Sequence, residues 1–123
     1  MQTLFKIFLV LNLLAETLAA TSLIGGPGGA AAALAGAGAN TAMWSMHYGF
    51  AVVSIASAIF WIWPRQTSAA AVTPVLGMLM LFHIGVLISL SLEATQTVGI
   101  GIHSVLAVLA VILFTQRSKW CTD

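Results

Sequence analysis

The stretch from Pro74 to Glu93 constrains this chain most, because it is apolar for about the width of a membrane and holds one ionisable side chain in its interior. The segment reads PVLGMLMLFHIGVLISLSLE. A helix rises about 1.5 Å per residue, so the segment is long enough to cross a hydrocarbon core of about 30 Å. His83 lies near its middle, where a charged group costs about 3 kcal/mol on insertion scales. We therefore expect a transmembrane helix that turns His83 towards the protein interior.

The composition of the whole chain is that of an integral membrane protein. Of its 123 residues, 60% are hydrophobic and 6% are charged, whereas soluble domains contain about 25% charged residues. Four windows are apolar for close to membrane length, namely residues 4–23, 43–63, 74–92 and 98–114. The sequence therefore predicts an all-α fold, a four-transmembrane-helix bundle forming a single membrane domain over residues 1–123.

Charge and cysteine content exclude several classes of function. The chain has only four basic and three acidic residues, so it offers no basic surface for nucleic acid. Cys121 is its only cysteine, which excludes an intrachain disulfide and a cysteine-based metal cluster. Lys6, followed by an apolar run that ends in Ala19 and Ala20, is a pattern shared with signal peptides. The run is as long as a full span, however, so we expect a transmembrane helix.

The connections between the spans differ in length and composition. Residues 25–42 are rich in glycine and alanine and are expected to form an outer loop, which is either flexible or holds a short interfacial helix from Pro27 to Gly36. Aromatic residues at both ends of the second span are typical of the membrane interface. The connection Pro64–Thr73 is short, so spans two and three should form an antiparallel hairpin in which Thr73 and Pro74 open span three.

The basic residues predict the orientation. With four spans, Lys6, Arg65, Arg117 and Lys119 all fall on one side of the membrane. Lysine and arginine concentrate on the cytoplasmic side, so both termini are expected to be cytoplasmic. The localisation that fits this pattern is a bacterial inner membrane.

The ionisable groups inside the spans lie in the outer half of the membrane. Counted from the outer end of each span, His47 and His103 lie about 6–8 Å deep and Glu16 and His83 about 11–14 Å deep. Each span contributes one such group, and in a four-helix bundle these groups can converge on the axis. Asn12 lies four residues from Glu16 and hence on the same helix face. The predicted ligand-binding or proton-relay residues are therefore Glu16, His83, His47, His103 and Asn12.

Several chemistries suit such a set of residues. They are a proton relay between Glu16 and His83, a metal site, a haem held by His47 and His103, and a pocket for a polar-headed lipophile such as a quinone or sterol-like lipid. No spacing motif selects among them, so no cofactor is assigned. A structural alternative stays open, in which His47 and His103 reach water at the interface and Glu16 and His83 form a neutralised contact.

Small residues on the spans predict close helix packing, and with it a partner. The positions expected at packing interfaces are Gly49, Ser54, Ala58, Gly85, Ser89, Gly99 and Ala107. Together with short loops, they favour a non-catalytic accessory subunit that packs against other membrane-protein subunits. The alternative function is an intramembrane ligand-binding protein with a Glu/His site. No sequence template of an enzyme is present.

The order of these features resembles the small four-helix membrane proteins of the DoxX-like group. The resemblance is carried by the small-residue turn with Pro27, the Ala-rich segment closed by Gly36, the second span MHYGFAVVSIASAIFWIWPR and the third-span motif FHIGVLISL. It implies a compact bundle of four spans and an accessory role beside membrane redox enzymes. It supplies no catalytic residues, and this chain lacks the arginine that many such proteins have near the start of span two.

Overall fold

The computed structural model describes residues 1–26, 39–93 and 96–122. These residues form five α-helices and two short 3-10 turns, and no strand. The α-helices are α1 (Gln2–Gly25), α2 (Ala39–Ala56), α3 (Ala58–Ile62), α4 (Ala69–Glu93) and α5 (Thr97–Gln116), and the 3-10 turns are Trp63–Arg65 and Arg117–Lys119.

Four helical stretches are long and apolar enough to cross a membrane. They are Gln2–Gly25, Ala42–Arg65, Ala69–Leu92 and Thr97–Lys119, which confirms the predicted all-helical fold with four such helices. Between 17% and 33% of the residues in each are buried inside the protein. Most residues of these stretches are therefore exposed or half-buried in the chain by itself.

The structure corrects the predicted boundaries in two places. Helix α4 begins at Ala69, so Pro74 lies inside the helix instead of opening it. Pro74 supplies no N–H to the carbonyl four residues before it, a loss that membrane-length helices tolerate where other groups bond that carbonyl. The last residues of the predicted outer loop 25–42 are helical, because α2 begins at Ala39. The predicted interfacial helix from Pro27 to Gly36 lies outside the described residues.

The chain divides into two compact units. The first comprises Met1–Leu11 and Ile59–Asp123, and the second comprises Asn12–Ala58. In the first unit, α4 and α5 pack against each other. Both helices bury residues at intervals of three or four, the spacing of one helix face; these are Val72, Leu76, Leu79 and His83 on α4, and His103, Leu106, Ala107, Ala110 and Leu113 on α5.

Contacts at one end of the first unit join the start of α1, the turn after α3 and the end of α5. The Lys6 ammonium lies 5.8 Å from the centre of the Trp63 ring. Arg117 donates from Nε to Thr73 Oγ1 at 3.1 Å, and the Phe5 and Trp120 rings lie 5.1 Å apart. Basic and aromatic side chains therefore collect at this end, as they do at membrane interfaces.

In the second unit, polar side chains of each helix bond to the carbonyl end of the other. Asn12 Nδ2 donates to Ile55 O at 3.2 Å, and Ser45 Oγ donates to Leu23 O at 2.9 Å. Ile55 and Leu23 lie in the last turns of α2 and α1, where carbonyls lose their helical donors. The side chains thus supply hydrogen bonds to these carbonyls from within the protein.

Candidate functional site

The candidate site begins with the buried face of α4. Leu76, Leu79 and His83 follow one another at intervals of three and four residues and are all fully buried. His83 thus occupies a core position of an apolar helix. The position carries an imidazole where each preceding member of the face carries an aliphatic side chain.

His103 occupies the corresponding place on α5. It is the first buried residue of that helix and is 9% exposed. Because α4 ends at Glu93 and α5 begins at Thr97, the two helices are antiparallel neighbours, and residues on either side of the connection meet. His83 Nδ1 lies 3.0 Å from His103 Nδ1, the ring centres are 5.3 Å apart and the ring planes are inclined by 43°.

The separation of the two nitrogens limits what can lie between them. A neutral imidazole has one N–H and one nitrogen lone pair. Two lone pairs facing each other at 3.0 Å would repel, so the two Nδ1 atoms must share either a proton or a metal ion. The contact is therefore either an N–H···N hydrogen bond between the two rings or a place where both nitrogens can bind one metal ion.

Aromatic rings surround the histidine pair. Phe82 meets His83 edge-on at 5.3 Å and His103 at 6.2 Å, and Phe8 meets His83 edge-on at 6.1 Å. Phe8 is itself fully buried. Interactions between charges and dipoles are stronger in such an apolar environment than in water. A proton or metal ion between the two nitrogens is therefore held more firmly than it would be at the protein surface.

The other predicted site residues lie in the second unit. His47 is exposed, and its ring meets Trp44 edge-on at 6.1 Å. The Asn12 amide donates to Ile55 O, so it serves helix packing. Glu16 is 1% exposed and continues the α1 face that carries Phe8 and Asn12, at four-residue spacing. Its pairing with His83 stays a prediction from the sequence.

The predicted packing residues fall into two groups. Ala58 and Ala107 are buried, and Gly49 and Gly99 lie close to neighbouring side chains. In contrast, Ser54, Gly85 and Ser89 are exposed.

The described part of the chain contains two cavities that residues other than the histidines line. One, of about 470 Å³, is lined by Thr17, Thr21, Ile24, Val53 and neighbouring residues of the second unit. The other, of about 390 Å³, lies at Ile59, Phe60, Trp63 and Pro64 in the first unit. No histidine lines either cavity. The imidazole pair is itself buried, which suits a small ligand.

The contact of His83 with His103 and the aromatic neighbours Phe8 and Phe82 were not predicted from the sequence. The available signal was the short connection between spans three and four, which makes these two helices neighbours. Comparisons with protein-family models, with curated proteins and with solved structures returned no match.

Proposed function

We propose that this protein is a membrane-embedded binding protein whose site is built around His83 and His103. The observation that carries the proposal is the 3.0 Å approach of two buried imidazole nitrogens. The ligand is small and is held by imidazole nitrogen, as a metal ion or a single polar head group would be.

The energetic cost of the pair supports a functional role. Two polar rings occupy positions that the same helices fill elsewhere with Leu76, Leu79 and Leu106. Buried polar pairs rarely stabilise a fold more than apolar residues of similar volume, and ionisable groups inside a membrane commonly mark functional sites. Helix packing alone gives no reason to place both histidines here.

We propose the cytoplasm for both termini and a bacterial inner membrane for the protein. The contacts of Lys6 with Trp63 and of Arg117 with Thr73 support this orientation, because they bring basic residues from both ends of the chain to the end that carries Arg65. The histidine pair would then lie towards the opposite, outer side.

The test is purification of the full chain in mild detergent without chelators, followed by elemental analysis, an absorption spectrum and mass spectrometry of extracted lipophiles. We expect a stoichiometric ligand that His83→Asn and His103→Asn both remove. The matched control is His47→Asn, which changes the third, exposed histidine and should leave the ligand bound. Absence of any ligand, or its retention in both core variants, would contradict the proposal.

A second candidate function, an accessory subunit of a larger membrane complex, is favoured by the outward face of α4. Gly85 and Ser89 are exposed there at four-residue spacing, and no atom lies within 4 Å of where a Gly85 side chain would begin. Such small residues allow another helix to approach closely. The DoxX-like resemblance suggests a redox enzyme as the partner.

This second function predicts that a bulky residue on α4 disrupts a complex without disturbing the protein. Gly85→Leu should abolish stoichiometric co-purification of a larger membrane subunit and leave the unfolding temperature of the isolated chain unchanged. The matched control is Gly101→Leu on α5, where the position is likewise open. Equal recovery of the partner with wild type and Gly85→Leu would count against this face as the interface.

A further inference from the structure

We infer that the ligand of the histidine pair is a divalent first-row transition-metal ion bound by Nδ1 of His83 and Nδ1 of His103. This inference rests on the proposed binding function and specifies its ligand. It is carried by the separation of the nitrogens, by the donor atoms available and by the charge that the site must balance.

The separation fits two ligands of one ion. With a metal–nitrogen bond of about 2.0–2.1 Å, two ligands subtending a right angle lie about 2.9 Å apart, and two at the tetrahedral angle lie about 3.4 Å apart. The observed 3.0 Å falls between these values. A linear arrangement needs about 4 Å between nitrogens at the same bond length, so the pair suits an ion with bent coordination.

The donor atoms select the class of ion. Imidazole nitrogen suits zinc, copper, iron and nickel, whereas magnesium and calcium prefer oxygen. The only thiol of the chain, Cys121, follows the turn at the end of α5, far along the helix from His103. The site therefore has no thiolate ligand, and its nitrogen donors suit a divalent ion.

The charge of the ion points to a carboxylate as a further ligand. Two neutral imidazoles leave the full charge of a divalent ion within an apolar environment, which is costly. The chain contains three acidic residues, and only Glu16 lies inside a candidate span, since Glu93 and Asp123 lie beyond the ends of theirs. The variant Glu16→Gln therefore tests the prediction from the sequence that this carboxylate acts together with a histidine.

The test uses the full chain in detergent, stripped with a chelator and titrated with Zn²⁺ and, as a spectroscopic probe, with Co²⁺. We expect one ion per chain, and Co²⁺ absorption bands together with X-ray absorption data that report two nitrogen ligands. His83→Asn and His103→Asn should each weaken binding by more than the roughly 10–100-fold that changes around a metal ligand typically cost. His47→Asn should bind with unchanged affinity.

The outcomes separate the parts of the inference. If Glu16→Gln binds as tightly as wild type, the prediction from the sequence for Glu16 is wrong and the histidine site stands. If the chain binds no ion, or both core histidine variants bind normally, the metal inference is overturned. A lipophile that is lost in those variants without any metal would leave the proposed function standing. The X-ray absorption data on wild type decide the ligand count even if a variant fails to fold.

Discussion

At the scale of single residues, the central feature is the mutual dependence of His83 and His103. Each is buried, and each provides a polar partner for the other at 3.0 Å. A buried polar group that loses its partner costs about 1–3 kcal/mol, whereas replacing both partners by apolar groups of similar shape is nearly neutral. The pair should therefore behave as one energetic unit.

A double-mutant cycle tests this dependence. With metal removed by chelator, His83→Leu and His103→Leu should each lower the free energy of unfolding by about 1–3 kcal/mol. The double variant should lose clearly less than the sum of the two. The free energy is measured by denaturant titration in detergent, with His47→Leu as the control that leaves stability unchanged. Additive losses would show that the two rings do not depend on each other.

At the scale of elements, α1 and α2 pack closely where Gly49 of α2 faces side chains of α1. A side chain at Gly49 would begin 2.5 Å from Ile24 Cγ1 and 3.2 Å from Leu23 Cβ. The close approach also brings Ser45 to within hydrogen-bond distance of the Leu23 carbonyl. Gly49 therefore sets the distance at which these two helices pack.

Gly49→Ala should destabilise the protein, because the added methyl group overlaps Ile24. We expect a loss of about 1–3 kcal/mol, as for other overpacked cores, measured as a lowered denaturant midpoint in detergent. Gly101→Ala is the matched control, since nothing lies within 4 Å of that position. If Gly49→Ala and Gly101→Ala unfold at the same denaturant midpoint, α1 and α2 do not pack closely at Gly49.

The elements also show how much the sequence could predict. Length and apolar composition were enough for four membrane-length helices, because these properties do not depend on which way a helix faces. The sequence carries little signal for which side of each helix faces the protein core, since lipid and the protein core are both apolar. Leu79 is fully buried and Leu81 is 69% exposed, yet the two residues are identical in type.

The candidate site, like the fold, could be predicted only in part from the sequence. The sequence could indicate that His83 turns inward, because a polar group is costly in lipid. It could not indicate that His83 meets His103, since that contact depends on the rotation of α4 and α5 about their axes. Counting depth from the ends of the predicted spans placed the two histidines several ångströms apart in depth, whereas their rings are in contact.

At the scale of the whole molecule, the distribution of charge defines the proposed topology. Lys6 lies in the second turn of α1, and Arg65 ends the second candidate span. Arg117 and Lys119 lie at the end of the fourth. The contacts of Lys6 and Arg117 join these segments. The topology can be tested with the single native cysteine, which follows Lys119 in the chain.

Cys121 should react with a membrane-impermeant maleimide in inverted vesicles and not in right-side-out vesicles, because the proposed orientation puts the C-terminus in the cytoplasm. The control is Gln96→Cys in a Cys121→Ser background, which places the thiol at an exposed residue between α4 and α5. This variant should show the opposite labelling. Labelling of both positions from the same side would contradict the proposed topology.

The measurement that tests the central claim most directly is nitrogen-15 NMR of the histidine rings in the full chain, with His47→Asn to assign the signal of the exposed histidine. Without metal, His83 and His103 should show a coupling between their Nδ1 nuclei across a shared proton. With Zn²⁺, both Nδ1 signals should shift together and the coupling should disappear, while His47 stays unchanged. Three rings that behave independently, with and without Zn²⁺, would contradict a binding site at this pair.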